Sequence, residues 1–465
     1  MPKLSFMRTP PNPSLPSAVA GAILLAGFAA TVLVSWPGHL SYDSILQLLQ
    51  GRTGIYNTWH PPVMAWLLGL GDALVPGTGL FVTFDVLLAF GAFAGILLLV
   101  PRQVGWAAVP AAVAVVLTPQ VLIYQGVVWK DVLFADSAVA GFVCLAHVAE
   151  AWPAPRPRWS VLAASLLILG LAVLTRQNGV VLAPFASAAL GWVAARQGMP
   201  WRRAAAIGGG YLLVLLAFVL AASALLNLRS DGESGPAEQF RLLQIYDLAG
   251  AVARQPDFPL SALEEDDPGL AQVLRRDSAS LYTPVRNDPL VSAPQMQEPL
   301  RTLDEEALAA DWRGLVLHHP WLYLKVRAAD FAQVAFTPDI AACRPIFTGI
   351  EGPARQLGIL KIAPRRDGRD FALERYGKAF FATPVLSHVP FALFALAALV
   401  LLLRRRRSED IAMAALLGGV LAFALSFFVI SISCDYRYLY ALDMASLAAF
   451  FYLARDPNSV LAGKP

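Results

Sequence analysis

The sequence predicts an all-α protein that crosses a membrane many times, and three observations carry that prediction. Hydrophobic residues make up 57% of the 465-residue chain and charged residues 15%, with a mean hydropathy of +0.56. A soluble domain is typically about 25% charged, so an ordinary cytosolic enzyme is excluded; so is a disordered chain, which needs low hydrophobicity and high net charge. Apolar runs long enough to cross a hydrocarbon core about 30 Å thick recur along the chain. The basic residues between those runs fall at alternate turns. The net charge of +3, from 36 basic and 33 acidic residues, is too balanced to imply nucleic acid as a partner. The partner it does imply is the lipid bilayer.

Taken in order, spans are expected near 16–36, 80–100, 104–124, 132–152, 159–175, 179–195, 204–227, 383–403, 411–433 and 437–454. The first run has no small-residue cleavage site and further spans follow it, so it is expected to be a retained helix. Lys3 and Arg8, Arg102, Arg156 with Arg158, Arg196 with Arg202 and Arg203, Arg404 to Arg407, and Arg455 then lie on one side. The positive-inside tendency makes that side cytoplasmic, with both termini inside. The apolar stretch 61–75 is left out of the count. Pro61-Pro62, Asp72 and Pro76-Gly77 suit a short interfacial or re-entrant helix.

Three regions follow. Residues 1–227 form a seven-span module whose first outer loop, 37–79, carries juxtamembrane helices. Residues 228–382 hold 18 basic and 22 acidic residues, a soluble-like balance. Amphipathic segments such as Ala237–Arg254 and Leu315–Ala329 predict an α-rich extracytoplasmic domain there. Residues 383–465 add three spans.

Once the cytoplasmic turns and that domain are set aside, four basic residues remain: Arg52, Lys130, Arg176 and Arg437. All map to the outer face, where the positive-inside tendency disfavours them. Charges at membrane depth are costly and mark substrate or ion pathways. Ion pairing with a neighbour, as Lys130–Asp131 and Asp435–Arg437 allow, is the plain alternative for each. The acidic counterpart is Asp43, at the start of a helical stretch that puts Asp43, Gln47 and Gln50 on one face. Its plain alternative is a carboxylate favoured by the helix dipole.

Soluble catalytic motifs are absent: there is no phosphate loop, no His-Glu-x-x-His and no Gly-x-Ser-x-Gly. Five short stretches stand out instead. They are Tyr42-Asp43-Ser44, Trp59-His60-Pro61-Pro62, Trp129-Lys130-Asp131-Val132-Leu133-Phe134, Thr175-Arg176-Gln177-Asn178-Gly179 and Cys434-Asp435-Tyr436-Arg437-Tyr438. In order and sidedness they resemble the GT-C superfamily of membrane glycosyltransferases, in particular aminoarabinose transferases, protein O-mannosyltransferases and bacterial proteins like them. The resemblance covers residues 16–230 and, more loosely, the last three spans; none is claimed for 228–382.

The resemblance implies a GT-C-like bundle of about ten transmembrane helices in the bacterial inner membrane. It implies a hexosyl- or pentosyltransferase moving sugar from a polyprenyl-phosphate-linked donor to an extracytoplasmic glycan, lipid or protein. Such transfer needs a base for the acceptor hydroxyl and cations for the departing phosphate. Asp43 is the expected catalytic base. Lys130, Arg176 and Arg437 are expected to bind the donor phosphate. Asp131 either orients Lys130 or binds sugar hydroxyls, and Asp435 and Tyr42 are further substrate-binding candidates. His60 either binds substrate or caps the helix after Pro61. Tyr42, Tyr436 and Tyr438 also fit an aromatic interface belt, while His318 and His319 are read as structural.

Metal-using members carry paired acidic residues in the first outer loop. This loop has Asp43 and no second carboxylate nearby, so neither a metal nor any other cofactor is expected. A single displacement would invert the anomeric centre. Alternatives are a polysaccharide polymerase or ligase, and a non-enzymatic lipid-linked sugar transporter or flippase, though no inverted repeat is visible. Of the three cysteines, Cys144 falls inside a span. Cys343 and Cys434 both face the outer compartment, where a bridge between them is permitted and expected.

Overall fold

The computed structural model describes residues 14–99, 104–152, 159–232 and 235–456. Among the described residues, β pairing occurs only as isolated bridges. The N-terminal part runs α1 (Leu15–Ser35), α2 (Tyr42–Thr53), α3 (Val63–Leu74), α4 (Gly79–Leu98), α5 (Ala108–Leu117), α6 (Pro119–Leu122), α7 (Lys130–Glu150), α8 (Trp159–Thr175), α9 (Leu182–Arg196) and α10 (Trp201–Asn227). Ten helices, α11 to α20, follow between Gly235 and Lys378; they include α11 (Gly235–Arg254), α16 (Glu305–His318), α17 (Pro320–Phe336) and α19 (Ala354–Leu360). The chain closes with α21 (His388–Arg405), α22 (Ser408–Ile430) and α23 (Tyr440–Arg455).

Each expected span has a helix. Among the described residues, seven are long and apolar enough to cross a membrane by length and composition, or eight if the bent pair α5–α6 is one span. α8 and α23 are shorter, at 17 and 16 residues. The stretch at 61–75 becomes α3, whose 12 residues reach about 18 Å at 1.5 Å per residue and so cannot cross the hydrocarbon core.

The stretch expected as one span at 104–124 is broken. α5 and the segment Pro119–Gly126 meet at 59°, because Pro119 has no N–H and its ring collides with the preceding turn. Freed backbone groups inside a membrane need partners. The Tyr440 hydroxyl supplies one, donating to the Gln120 carbonyl over 2.7 Å.

The basic turns gather at one end of the bundle. Gln197 donates to Ser408 Oγ over 3.2 Å, Arg407 lies 3.5 Å from Asp456, and Arg455 donates to the carbonyls of Ile96 and Leu99 at the end of α4 over 2.7 and 2.6 Å. Lys3, Arg8, Arg102, Arg156 and Arg158, and both chain termini, lie outside the described residues.

At the other end, residues 37–41 run beside 126–128. His39 N–H donates to Gly126 O over 2.8 Å and Val128 N–H to His39 O over 3.0 Å. The intervening helices are pinned to the same stretch: Leu40 N–H donates to Gly349 O and Glu351 N–H to Leu40 O, both over 2.9 Å. His39 Nδ1 accepts from Gly349 N–H over 3.0 Å. Burial, the largest effect on this ring, lowers its pKa to about 4 and keeps it a neutral acceptor.

The helices α11 to α17 enclose their own apolar core, with Tyr246, Leu270, Met296 and Leu315 fully or almost fully buried. The segment Leu315–Ala329, expected as one helix, is divided at His319-Pro320 between α16 and α17. Proline starts a helix well but cannot continue one. α17 leans on α22 through Phe331 and Phe428, whose ring centroids are 5.9 Å apart.

Backbone-to-backbone packing joins α2 to α3. A Cβ on Gly51 would lie 2.4 Å from the Ala65 carbonyl oxygen, and one on Gly69 2.5 Å from the Gly51 oxygen. The two backbones touch, so α2 and α3 move as one body. The same pair is clamped by Arg52, whose Nε and Nη2 bind both oxygens of Asp72 over 2.6 and 2.8 Å and whose Nη1 donates to Leu360 O in α19. Gly51→Ala is therefore expected to lower the melting temperature measured in detergent, by the roughly 1–3 kcal/mol of an overpacked contact. An unchanged melting temperature would contradict the backbone contact.

Candidate active site

The sequence starts α2 with a local device. Ser41 N–H donates to Ser44 Oγ over 3.2 Å, and Ser44 Oγ donates to the Val128 carbonyl over 2.6 Å. Asp43 thus falls in the first turn, where exposed N–H groups favour a carboxylate. Gly54, with φ of 70°, ends the helix. Gln47, one turn along the same face of α2, is buried.

Asp43 sits between Arg437 and His60. Arg437 Nη1 donates to Asp43 Oδ2 over 2.6 Å, and its Nε donates to Asp435 Oδ2 over 2.7 Å. Asp131 Oδ2 lies 3.8 Å from the same Nε. Three carboxylates therefore surround one guanidinium, which also covers the Trp129 ring at 5.0 Å. Asp131 is paired with Arg176, whose guanidinium faces Phe427 at 5.1 Å and Tyr438 at 5.5 Å. His60 Nε2 is 3.7 Å from Asp43 Oδ1, and Lys130 Nζ is 2.9 Å from His60 Nδ1.

Asp43, His60, Lys130, Asp131, Arg176, Asp435 and Arg437 thus form one connected cluster. Tyr42 borders it, 57% exposed. Arg52 stands apart in its clamp with Asp72. Tyr436 and Tyr438 do not form an interface belt. Tyr436 is buried under the cluster, accepting from Gln120 over 2.8 Å and donating to Asp443 over 2.6 Å; Tyr438 stacks on Phe427 with centroids 5.0 Å apart. Inward placement suits both because each hydroxyl finds a polar partner.

Burial pushes the Asp43 pKa upward, but the Arg437 charge, helped by His60, more than reverses this and holds the carboxyl well below the usual range. Burial, then the Lys130 charge, lowers His60 to about 4. The ring is therefore neutral at pH 7. Its Nδ1 accepts from Lys130, so its own proton is on Nε2, facing Asp43.

A cavity of about 310 Å³ opens beside Asp43 and Arg437. Ser41, Tyr42, Trp129 and Asp435 line it, together with Arg344, Glu351 and Gly352 from the intervening region. Sequence reasoning missed those last three. Their one local signal is the cysteine before Arg344. Cys343 and Cys434 are joined by a disulfide with a Cα–Cα distance of 4.7 Å, so Arg344 and Asp435 each follow a bridged cysteine.

No family model matches the chain, and no curated protein matches it. Solved structures do. One is the archaeal oligosaccharyltransferase AglB from Archaeoglobus fulgidus in complex with an inhibitory peptide and a dolichol-phosphate, 15% identical, covering 94% of this chain and 50% of that one at a TM-score of 0.40. Another is ArnT from Cupriavidus metallidurans bound to undecaprenyl phosphate, 13% identical, covering 95% of this chain and 79% of that one at a TM-score of 0.35. The chain spans about half the length of the archaeal enzyme. The likeness concerns architecture; the chemistry rests on the residues described above.

Two outcomes are expected. Thiol labelling of the denatured protein should reveal Cys144 alone before reduction and all three cysteines after it. Equal labelling in both states would remove the bridge. NMR of labelled histidine should show the His60 ring titrating near 4. Because that is below its unfolded value of 6.5, the neutral ring favours the fold above pH 6.5, and this contribution is lost as pH falls toward 4. A midpoint above 6 would mean a solvated ring.

Proposed function

We propose that the protein is a membrane glycosyltransferase that moves a sugar from a polyprenyl-phosphate donor to an extracytoplasmic acceptor by one inverting, metal-independent displacement. The observation that carries the proposal is the direct contact between an ionised Asp43 and the Arg437 guanidinium, beside a cavity at the end of the bundle opposite the basic turns. By the positive-inside tendency that end faces outward.

Held by Arg437, Asp43 is a weak base. A donor phosphate changes this, because it competes for the same guanidinium with the bidentate geometry that arginine favours. As Arg437 turns to the phosphate, Asp43 loses its strongest cation and becomes the stronger base. It then accepts the proton of the acceptor hydroxyl while that oxygen attacks the anomeric carbon. The bond to the phosphate oxygen breaks, and polyprenyl phosphate leaves with its charge met by Arg437, Lys130 and Arg176. No acid is needed for a leaving group whose second pKa is near 6. His60 faces Asp43 with the proton on Nε2 at 3.7 Å, and Asp131 and Asp435 hold the two arginines in place.

Metal independence follows from what stands among the carboxylates. Asp43, Asp131 and Asp435 gather around Arg437, so a guanidinium already supplies the positive charge there. The prenyl chain suits a groove of about 460 Å³ lined by Tyr56, Trp66, Leu171, Phe218 and Leu225, with Arg229 at its edge. Tyr56 belongs to the stretch that carries His60.

The assay is release of polyprenyl phosphate from a radiolabelled donor by the purified protein. Asp43→Asn is expected to lower turnover by about 10²–10⁴-fold, the range for loss of a general base, in a protein that still folds but melts at a lower temperature, because Arg437 loses a charged partner. Wild-type turnover in that variant removes Asp43 from the mechanism. Arg437→Ala is expected to weaken donor binding and to slow turnover about 10²–10³-fold, as loss of a charge-stabilising donor does; unaltered donor affinity would leave Arg437 a structural ion pair. EDTA is expected to have no effect, and inhibition reversed by Mg²⁺ or Mn²⁺ would overturn the metal-independent part.

A further inference from the structure

The cavity beside Asp43 has a wall that the transfer chemistry does not use. Arg344 and Glu351 line it. Both stand on fixed backbone. Arg344 adopts a φ of 47°, in the left-handed region that a non-glycine residue enters only when its surroundings impose it. They do so here: Cys343 before it is bonded to Cys434, Pro345 follows it, and Arg286 donates to the Ala342 carbonyl. On the other side, Glu351 N–H donates to Leu40 O over 2.9 Å. Gly352 presses on α2 so closely that a Cβ would lie 2.3 Å from Ile45 Cδ1.

The side chains, by contrast, are uncommitted. Arg344 and Glu351 are 58% and 63% exposed, and they meet each other only at 4.0 Å, too far for a hydrogen bond. Arg437, Arg176 and Lys130 each hold a carboxylate or the His60 ring at closer range. The groups on this cavity free to take new partners are therefore Arg344, Glu351 and the exposed ring of Tyr42.

Charge decides what they take. Three carboxylates (Asp43, Glu351, Asp435) and two guanidiniums (Arg344, Arg437) line the cavity, leaving one net negative charge. Lys130, Arg176 and Asp131 behind the wall bring the whole cluster to neutrality. The donor phosphate then makes it negative again, so a second anion on the acceptor would enter an unfavourable field. An uncharged group rich in hydroxyls meets no such barrier. Arg344 donates to its oxygens, Glu351 accepts from adjacent hydroxyls, and the Tyr42 ring covers its apolar face. The volume of about 310 Å³ lies at the lower end of ligand sites. It accommodates a single ring beside the phosphate, and the remainder of a longer acceptor crosses the open rim.

We propose that Arg344, Glu351 and Tyr42 form the acceptor subsite, and that the acceptor is an uncharged saccharide. The inference rests on the transfer function proposed above. Full-length protein in nanodiscs would be given a radiolabelled polyprenyl-phosphate sugar with one of three acceptors: a neutral oligosaccharide, one of equal length bearing a uronic acid, or a serine- and threonine-containing peptide. The neutral oligosaccharide is expected to be the best acceptor. Arg344→Ala and Glu351→Gln are each expected to raise its KM about tenfold, the scale of one or two lost hydrogen bonds, with kcat, donor affinity and melting temperature almost unchanged. Glu351→Lys removes negative charge and is expected to improve kcat/KM for the uronic acid acceptor. Preference of the wild-type protein for the anionic saccharide or the peptide overturns the proposal, as does a wild-type acceptor KM in both single variants. Donor that is never turned over, even to water, overturns the transfer function and this subsite with it. Donor turnover with an unaltered acceptor KM overturns the subsite alone.

Discussion

The ion pair between Asp43 and Arg437 joins the first loop of the bundle to its last hairpin, across 394 residues of sequence. Nearly every other feature at that end of the molecule supports one partner or the other. α2 presents Asp43 and cannot shift without α3, because their backbones touch at Gly51 and Gly69. The 3-10 turn Tyr436–Leu439 presents Arg437 and is held from below by the Tyr436 hydroxyl between Gln120 and Asp443. A largely buried guanidinium is tolerable only with its charge matched. Arg437 meets that condition through Asp43 and Asp435, and the cost of disrupting either contact keeps the two ends of the chain together.

The intervening helices are tied to the bundle by the same principle applied in a drier place. Arg327 is fully buried and bonds Asp247 and Asp330 over 2.6 and 2.7 Å. It also donates to the carbonyls of Val429 and Ser431, both over 2.8 Å, at the end of α22. Burial raises Asp247 to about 6 and Asp330 to about 7 against the pull of Arg327. One guanidinium thus serves two acids and two orphan carbonyls that α22 leaves unpaired at its end. With the Cys343–Cys434 bridge and the backbone bonds of Leu40, this gives three separate attachments. Arg344 and Glu351 therefore keep a fixed relation to Asp43, although they lie some 300 residues away in sequence.

Much of this end of the molecule was legible in the sequence for one physical reason. Lys130, Arg176 and Arg437 stood out because charge at the outer edge of an apolar bundle is costly and needs a cause. All three join the Asp43 cluster; Arg52, selected by the same reasoning, serves a structural clamp instead. Cost identifies a charge but does not say whether its partner is a ligand or a neighbour. Arg344 and Glu351 were illegible because the principle has no force where they lie. In a stretch with 18 basic and 22 acidic residues, one more exposed arginine is unremarked. The gathering of Asp131 and Asp435 around Arg437 was hidden too, since each looked like the partner of its immediate neighbour. The break at Pro119 was written in the sequence, but uniform apolarity on both sides concealed the change of direction.

The cluster separates its charges into two kinds, and that separation ties structure to chemistry. Buried charges are committed: Arg176 to Asp131, Lys130 to His60, Arg437 to Asp43 and Asp435. They can act only by exchanging one partner for another. In the proposed transfer an incoming anion makes such an exchange favourable, so Asp43 stays restrained until the phosphate is in place. An unrestrained carboxylate facing water would be ready to activate any hydroxyl that entered, including water itself, whether or not a donor was bound. The exposed charges, Arg344 and Glu351, need no exchange and can engage a second substrate at once. Order of binding then follows from burial. On the proposed reading the anionic substrate displaces an ion pair and readies Asp43, and the neutral one meets a surface already prepared to hold it.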